Sequence, residues 1–555
     1  MLGMGMTMRQ SFFGFNIALS GLYTAQRNLD TVGHNISNAT TPGYSRQQSV
    51  QSALPPIAVT DSTGMIGTGS QVKTVERIRD EYLDFKYWSE NIANGEWSIK
   101  AELLSEVEGT FNEPSSSGFV TIMNEFFNAY QELAKDPSSA AVRALVREKG
   151  VTLAKYFNST ATHFEKLQED INDKVKLNVD AVNILASQIQ QLNKQIYNFE
   201  VTGNTANDLR DSRTLLVDKL SKMINIQATE VSYGKLPNGA DDIHFQITVG
   251  GKTLVDHFSS SKLTLSQRDQ KLNPEDIGDL YDVTWEDGNK LVLTGGELKG
   301  LIDVRDGKDG AIGIDGNTQS PLYRGIPYYQ MKLNEFVQTF AMAFNEGYMA
   351  DSSGVLKDGT GHADGYGYDA DVGGPGIAPT NMRFFTMFDG DVPISGSEFL
   401  DNVSPSTPDV VNTDIVARYK NITAKNFTVS SDIMNNTANI ATSDVPGENG
   451  NIKVLNELLK IRSNNGLFYE GAPEDFMKSL VAGLGIDSQQ AQRFMKSQST
   501  IVQQVDNRRM SISGVDLNEE MTNMVKFQQS YNAAAKLINT MAEVYETLIN
   551  RLGVS

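Results

Sequence analysis

The 555-residue chain sets 48 basic against 68 acidic side chains, for a net charge of −20, and contains no cysteine. Thiolate metal centres, thiol catalysis and disulfide staples are therefore excluded, and the negative field opposes binding to a phosphate backbone or an anionic membrane surface. With 39% hydrophobic and 21% charged residues the composition is that of a folded protein. Its length exceeds a single core of ~250–300 residues, so about three or four globular units are expected.

The amino end, MLGMGMTMRQSFFGFNIALS, lacks a basic flank, a long apolar core and a cleavage site, so no cleavable secretory signal is expected. Met4, Met6 and Met8 crowd that end, and each could be the natural start. Residues 10–30 read as a helix whose seam, Phe12, Phe15, Leu19, Leu22, Gln26 and Leu29, alternates steps of three and four and so packs on another helix. In TVGHNISNATTPGYSRQ (31–47) Gly, Asn, Ser, Thr and Pro replace that rhythm, and the chain turns or extends. Asn35 and Asn38 can tie their side chains to a local turn, Pro42 fixes an extended entry, Gly43 permits a positive φ, and Tyr44 closes the motif. Residues 48–79 are strand-like.

Helical periodicity resumes near Asp80, breaks at 112–118 and continues to Asp136, where Pro137, Ser138 and Ser139 signal a new helix start. No proline follows until Pro237, so 138–200 is expected as one helix roughly 90 Å long at 1.5 Å per residue. Its seam runs Leu153, Phe157, Thr160, Phe164, Leu167, Ile171, then Val175, Asn178, Val182, Leu185, Ile189, Leu192, Ile196, Phe199. The extra step of four between the halves relaxes supercoiling, which suits a straight rod in a small bundle. Residues 226–299 change to short β-rich runs between Gly, Asn and Asp turns, an inserted β module. Helices return at ELKGLIDVRD and YYQMKLNEFVQTFAMAFNEGY, a second Gly- and Asp-rich insertion covers 351–430, and the chain is again helical from Asn451 with breaks at Gly466, Pro473 and Gly514.

The last helix, 516–552, repeats Leu517, Met521, Met524, Gln528, Tyr531, Ala535, Ile538, Ala542, Tyr545, Ile549 and Leu552 over about five heptads. A second stripe, Phe527, Ala534, Leu537, Met541, Val544 and Leu548, makes the apolar surface wider than one partner helix can cover. Asp516 with Glu519 has the spacing of a capping box. The expected fold class is mainly α with inserted β domains. Residues 1–42 and 514–555 form paired terminal helices. Residues 43–225, 300–350 and 431–513 form a long-helix bundle, and 226–299 and 351–430 form outer β-rich modules. Periodicity alone fits an ordinary bundle core equally well.

Chemical sites are sparse. His34, His163, His244, His257 and His362 fall in different elements, without metal-ligand spacing or a nucleophile nearby. Asp306, Asp309 and Asp315, and Asp364, Asp369 and Asp371, have the composition of calcium loops but not their ligand order, so solvated turns are favoured. GMIGTGS (64–70) lacks the lysine and strand–turn–helix setting of a phosphate loop and reads as a turn. No catalytic residue, metal or cofactor is expected.

ALSGLYTAQRNLDTVGHNISNATTPGYSRQ (18–47), with Asn35-Ile36-Ser37-Asn38-Ala39 and Thr41-Pro42-Gly43-Tyr44, resembles the amino end of the flagellar rod, hook and hook-associated proteins. SGVDLNEEMTNMVKFQQSYNAAAKLINTMAEVYETLIN (513–550), with Ser513-Gly514-Val515 and Gln528-Gln529-Ser530-Tyr531, resembles their carboxy end. NDLRDSRTLLVDKLSKMINI (207–226), GGKTLVD (250–256), GGELKGLIDVRDG (295–307) and MAFNEGY (342–348) resemble the hook-associated members that join hook to filament. Departures are Arg210 and Ser212, within a run usually richer in leucine, and the poorly matching 351–430.

The resemblance implies a structural protein of the bacterial flagellum, extracellular at the hook–filament junction and exported by the flagellar type III system without a cleaved signal. Its partners would be identical subunits in a ring, the hook protein on one side, and hook-associated protein 3 with the flagellin filament on the other. An export chaperone would hold the last helix before assembly. Phe12, Phe15, Leu19, Leu22 and Leu29 would form the amino-terminal assembly surface. Leu517, Met521, Met524, Phe527, Tyr531, Leu537, Ile538, Met541, Val544, Tyr545, Leu548 and Ile549 would serve both assembly and the chaperone. The alternatives are another axial protein (hook protein or flagellin) and a soluble helical binding module or chaperone.

Overall fold

The computed structural model describes residues 13–58, 65–111, 115, 118–236, 239, 241–350, 355–369, 380–401 and 411–552, without the side chains of 548–552. Helix α1 spans Phe13–Ser37. It therefore runs seven residues past the expected end, and its polar side chains bond back to the helix backbone. Thr31 Oγ1 donates to Arg27 O at 2.9 Å, Ser37 Oγ to Gly33 O at 2.8 Å and Asn38 Nδ2 to His34 O at 3.0 Å. The turn itself is Thr41–Tyr44: Tyr44 N donates to Thr41 O at 3.2 Å and Gly43 has φ +79°. Pro then Gly at the two central positions is the signature of a type II turn, in which Pro42 takes the first central position.

A long hairpin follows, with β1 (Gln47–Ala53), β2 (Ile57–Ala58), β3 (Met65–Ile66) and β4 (Ser70–Arg77). β1 pairs antiparallel with β4 from Gln47↔Arg77 to Ala53↔Ser70, and the register shift at Val50/Gln51 leaves Lys73 as the extra residue of a bulge. The 64–70 run thus contains strand β3, and Gly69, at φ +122°, turns the chain into β4.

Helices α2 (Glu81–Phe111), α3 (Phe119–Lys135), α4 (Ala140–Glu200) and α5 (Asn207–Met223) build the body. α4 is a single helix of 61 residues, and Ser139 caps it by accepting from Val142 N at 3.4 Å. Leu153, Phe157, Phe164, Ile171, Val175, Val182, Ile189 and Ile196 are buried along it as expected. Leu167, Leu185 and Leu192 are only half-buried and Phe199 is exposed, because a straight helix drifts off a 3.5-residue repeat and brings Gln168, Ala186 and Asn193 inward instead.

Side-chain amides of α4 hold the β-rich stretch. Its strands are β5 (Ile226–Lys235), β6 (Asp241–Val249), β7 (Lys252–Asp256), β8 (Ser259–Ser260), β9 (Leu263–Gln267) and β10 (Tyr281–Trp285). β5–β8 form a four-stranded antiparallel sheet in chain order, and β9 pairs with β10. Asn183 exchanges two 2.9 Å bonds with the backbone of Leu263, Asn172 Oδ1 accepts from Tyr281 N at 2.9 Å, and Gln168 Oε1 accepts from Ile277 N at 2.9 Å. A side-chain amide both donates and accepts, so it can stand in for a neighbouring strand where an apolar residue could not.

Beyond it come α6 (Glu297–Asp306), α7 (Ile326–Glu346), α8 (Lys453–Lys460), α9 (Pro473–Ser513) and α10 (Leu517–Leu552). The densest core is aromatic: Phe157 stacks on Phe336 at 5.1 Å, Phe126 meets Phe344 at 5.7 Å, and Phe385 stacks on Phe427 at 4.8 Å. The described strands Phe385–Asp389 and Phe427–Val429 share this core with α3, α4 and α7. α9 packs along α2, and α10 packs along α1. No helix among the described residues is long and apolar enough to cross a membrane.

Candidate assembly interface at the paired termini

α1 and α10 run antiparallel in close contact. A β-carbon built on Gly14 would lie 3.0 Å from Met541 Cε, one on Gly21 would lie 3.9 Å from Ala534 Cβ, and Asn35 reaches Glu520. Each step of seven along α1 is matched by seven backwards along α10, a heptad register. Ala18, Thr24, Ala25, Asn28, Val32 and Asn35 are the buried positions of α1. The expected seam is displaced: Phe15, Leu19, Leu22 and Leu29 are only half-buried, and Phe12 lies outside the described residues. Two helices approach most closely where side chains are smallest, so the intramolecular contact selects the Gly/Ala face and leaves the larger apolar stripe partly open.

Among the described side chains of α10, only Glu520 is fully buried. Met524, Phe527, Tyr531, Ile538, Met541 and Tyr545 are half-buried, whereas Leu517, Met521, Leu537 and Val544 are exposed; the side chains of Leu548 and Ile549 are not described. Val525, absent from either expected stripe, is the most open at 57% exposure.

The base of the pair is polar and closed. Asn35 is not in a loop but in the last turn of α1, and its partners are distant. Its Nδ2 donates to Gln47 O at 2.8 Å and Glu520 Oε2 at 3.2 Å, while Oδ1 accepts from Gln47 N at 2.9 Å and Tyr44 OH at 2.7 Å. Burial, reinforced by Asp208, Asp211 and Glu520, pushes the Tyr44 hydroxyl well above its ordinary range, so it remains a donor. Arg46 then locks α10. Its Nε donates to Glu520 Oε1 at 2.7 Å and its two terminal nitrogens grip Glu519 at 2.6 and 2.9 Å. Asp516 caps α10 by accepting from Asn518 N at 2.8 Å and Glu519 N at 3.4 Å. The expected capping box is thus only half formed, because Arg46 takes the Glu519 carboxylate.

A second network ties this base to the helical body. Ser45 N and Oγ donate to Asp211 at 2.7 and 2.8 Å, and Arg77 reaches the same carboxylate at 3.0 Å. Arg79 forks onto Asp84, and Arg509 of α9 joins Asp84 and Asp218, to which the Trp88 indole also donates at 2.7 Å. Burial pulls Arg509 down, but Asp218, Asp84 and Asp506 outweigh it and hold the guanidinium above its usual range. Arg46, Asp211, Arg509 and Glu520 carry this geometry, and the sequence reading did not single them out for it. Their one local signal is that Ser45 and Arg46 follow directly on the turn motif. Arg210, the departure from the leucine-rich run, forks onto Glu200 at 2.7 and 2.9 Å.

Among the described residues no group of three or more His, Asp or Glu is placed to hold a metal. Asp306 is buried between Arg305 and Arg268, and Asp315 accepts from Asn317 N, Thr318 N and Thr318 Oγ1, bonds that hold its carboxyl at about 2. Asp364 accepts from Gly361 N at 2.7 Å, and Asp371 lies outside the described residues. The fold does bring two histidines together: His244 on β6 and His257 in the turn after β7 stack at 4.1 Å.

Comparison with known proteins agrees at both ends. Residues 15–44 match the flagella basal body rod protein family and residues 506–552 the flagellar basal body rod FlgEFG protein C-terminal family, which define an axial flagellar protein. Residues 104–361 match the flagellar hook-associated protein FlgK helical domain. The flagellar hook junction protein FlgK from Burkholderia pseudomallei shares the fold, with a TM-score of 0.51 and 15% identity over 78% of this chain and 100% of that one. Flagellar hook-associated protein 1 of Bacillus subtilis (strain 168) is 30% identical over 569 residues, covering 99% of each chain. The Escherichia coli (strain K12) protein of that name is 24% identical, over 96% of this chain and 99% of its own. The chain belongs to the flagellar hook-associated protein 1 family, whose members are structural components of the bacterial flagellum.

Proposed function

We propose that this protein forms the junction between flagellar hook and filament, assembling with copies of itself into a ring through the α1–α10 pair. The observation that carries this reading is the apolar surface left after α1 has covered one side of α10. Leu517, Met521, Val525, Leu537 and Val544 remain 42–57% exposed. Covering the open half of each returns on the order of 1 kcal/mol per side chain, so neighbours around an axis gain several kcal/mol per contact. The half-buried Phe15, Leu19, Leu22 and Leu29 of α1 add to the same surface.

On this reading the hook protein lies on one side, and hook-associated protein 3 and through it the flagellin filament on the other. Delivery is through the flagellar type III apparatus without a cleaved signal peptide, and an export chaperone shields α10, whose stripe would otherwise aggregate. The role is structural rather than enzymatic.

Leu537→Asp combined with Val544→Asp tests it. Both side chains are exposed, so the variant should match the wild-type circular dichroism and thermal unfolding. Cells carrying it should keep hooks, lack filaments and shed filament protein. Normal filaments on those cells would overturn the reading.

A further inference from the structure

We propose that Met541 is an oxidation-sensitive modification site: peroxide converts its thioether to the sulfoxide, and this loosens the terminal helix pair. With no cysteine among 555 residues, the thioethers of 19 methionines are the chain's readiest targets for a two-electron oxidant. Their surroundings sort them into three groups. Met123 and Met477 are buried in the core, closed to solvent. Met510 and Met521 are 52% exposed, where an added oxygen meets water at no cost to the monomer.

Met541, like Met524 on the same helix, is intermediate, half-buried and therefore reachable, and it packs directly against Gly14 of α1. A β-carbon on Gly14 would stand 3.0 Å from its Cε and 3.4 Å from its Sδ, so the thioether occupies the space the missing side chain provides. The adjoining positions, Phe13, Phe15 and Ile17 on α1 and Leu537, Ile538 and Val544 on α10, are apolar.

The step balances without further reagents. A sulfur lone pair attacks one peroxide oxygen, the O–O bond breaks, an S–O bond forms and water leaves; sulfur is oxidised by two electrons and peroxide is reduced. The product is larger, polar and a strong acceptor. It either sets an unpaired oxygen against an apolar helix or turns out of the contact, and both outcomes release the α1 end of the pair. A thiol-dependent sulfoxide reductase reverses the change.

The test treats the full chain with hydrogen peroxide, locates added oxygen by peptide mass spectrometry and reads amide exchange along α1. Exchange over residues 14–21 should rise about tenfold, equivalent to ~1.4 kcal/mol of opening. It should return after reductase treatment and stay unchanged in Met541→Leu, which keeps the volume. Met510→Leu with Met521→Leu should respond like the wild type. Met541 oxidised without faster exchange, or Met541→Leu loosened as much as the wild type, would overturn the proposal, as would Met541 left unreacted while Met510 and Met521 oxidise. A loss of polymerisation on oxidation rests on the assembly reading above. The exchange readout does not, so the two fail separately.

Discussion

Arg46→Met removes the cation that Glu520 depends on. The Glu520 side chain is 2% exposed and accepts from Arg46 Nε at 2.7 Å and from Asn35 Nδ2 at 3.2 Å. Without the guanidinium the buried carboxylate retains a single neutral donor. Breaking a buried ion pair from one side costs ~3–5 kcal/mol, and the partial exposure of Arg46 places this case near 3. Because the loss falls at the base of the α1–α10 pair, it should emerge as local opening before global unfolding. Amide exchange over 31–37 and 517–524 should accelerate by roughly two orders of magnitude, ~1.4 kcal/mol per tenfold. Arg46→Met combined with Glu520→Met removes both charges and should recover most of the loss, since an apolar pair of similar volume is often neutral in such a site. Exchange as slow in the single variant as in the wild type would refute the reasoning; so would a double variant no better than the single.

Other perturbations test the packing and the buried titratable groups. His362 is fully buried, with Nδ1 donating to Met382 O at 2.7 Å and Nε2 accepting from Ala441 N at 2.9 Å, and burial holds its pKa at about 4. An unfolded histidine protonates near 6.5, so the stability this residue contributes is complete above pH 6.5 and is lost as pH falls towards 4, by about 3 kcal/mol. His362→Leu should be less stable at neutral pH, because Ala441 N loses its acceptor, and should show a flatter denaturant-midpoint curve between pH 6.5 and 4; an unchanged slope counts against the assignment. At Gly21 a β-carbon meets only Ala534 at 3.9 Å, so Gly21→Ala should be neutral or gain up to ~1 kcal/mol of helix propensity, whereas Gly21→Leu should splay the pair and expose both helices to protease. In α4 a β-carbon on Gly150 would press to 2.7 Å of Phe384, so Gly150→Ala should cost ~1–3 kcal/mol despite better propensity, measured as a lower Tm.

The local grammar of the chain is readable from its residues. Ser139 and Asp516 cap helices where a short polar side chain precedes an apolar rhythm, and Pro42-Gly43 turns the chain at a positive φ. The 61-residue α4 follows from uninterrupted periodicity. These features depend on interactions spanning a few residues, which adjacent residue types encode directly.

Which face of α1 meets α10 is a different matter. Periodicity marks apolar surface, and α1 carries two usable faces; closeness of approach, decided by Gly14, Gly21, Ala18 and Ala25, chose the smaller one. Asn35 was legible as a turn residue and is instead a buried link to Gln47 and Glu520, while Arg46 finds its carboxylates 473 and 474 residues along the chain. A hydrogen bond between distant positions leaves no local pattern in sequence, because its energy depends on both partners being brought together and dried. The sequence therefore determined the helices, the turn and the apolar ends. Only the tertiary structure decided the antiparallel register that clamps the ends together and the stripe of α10 that stays open to solvent.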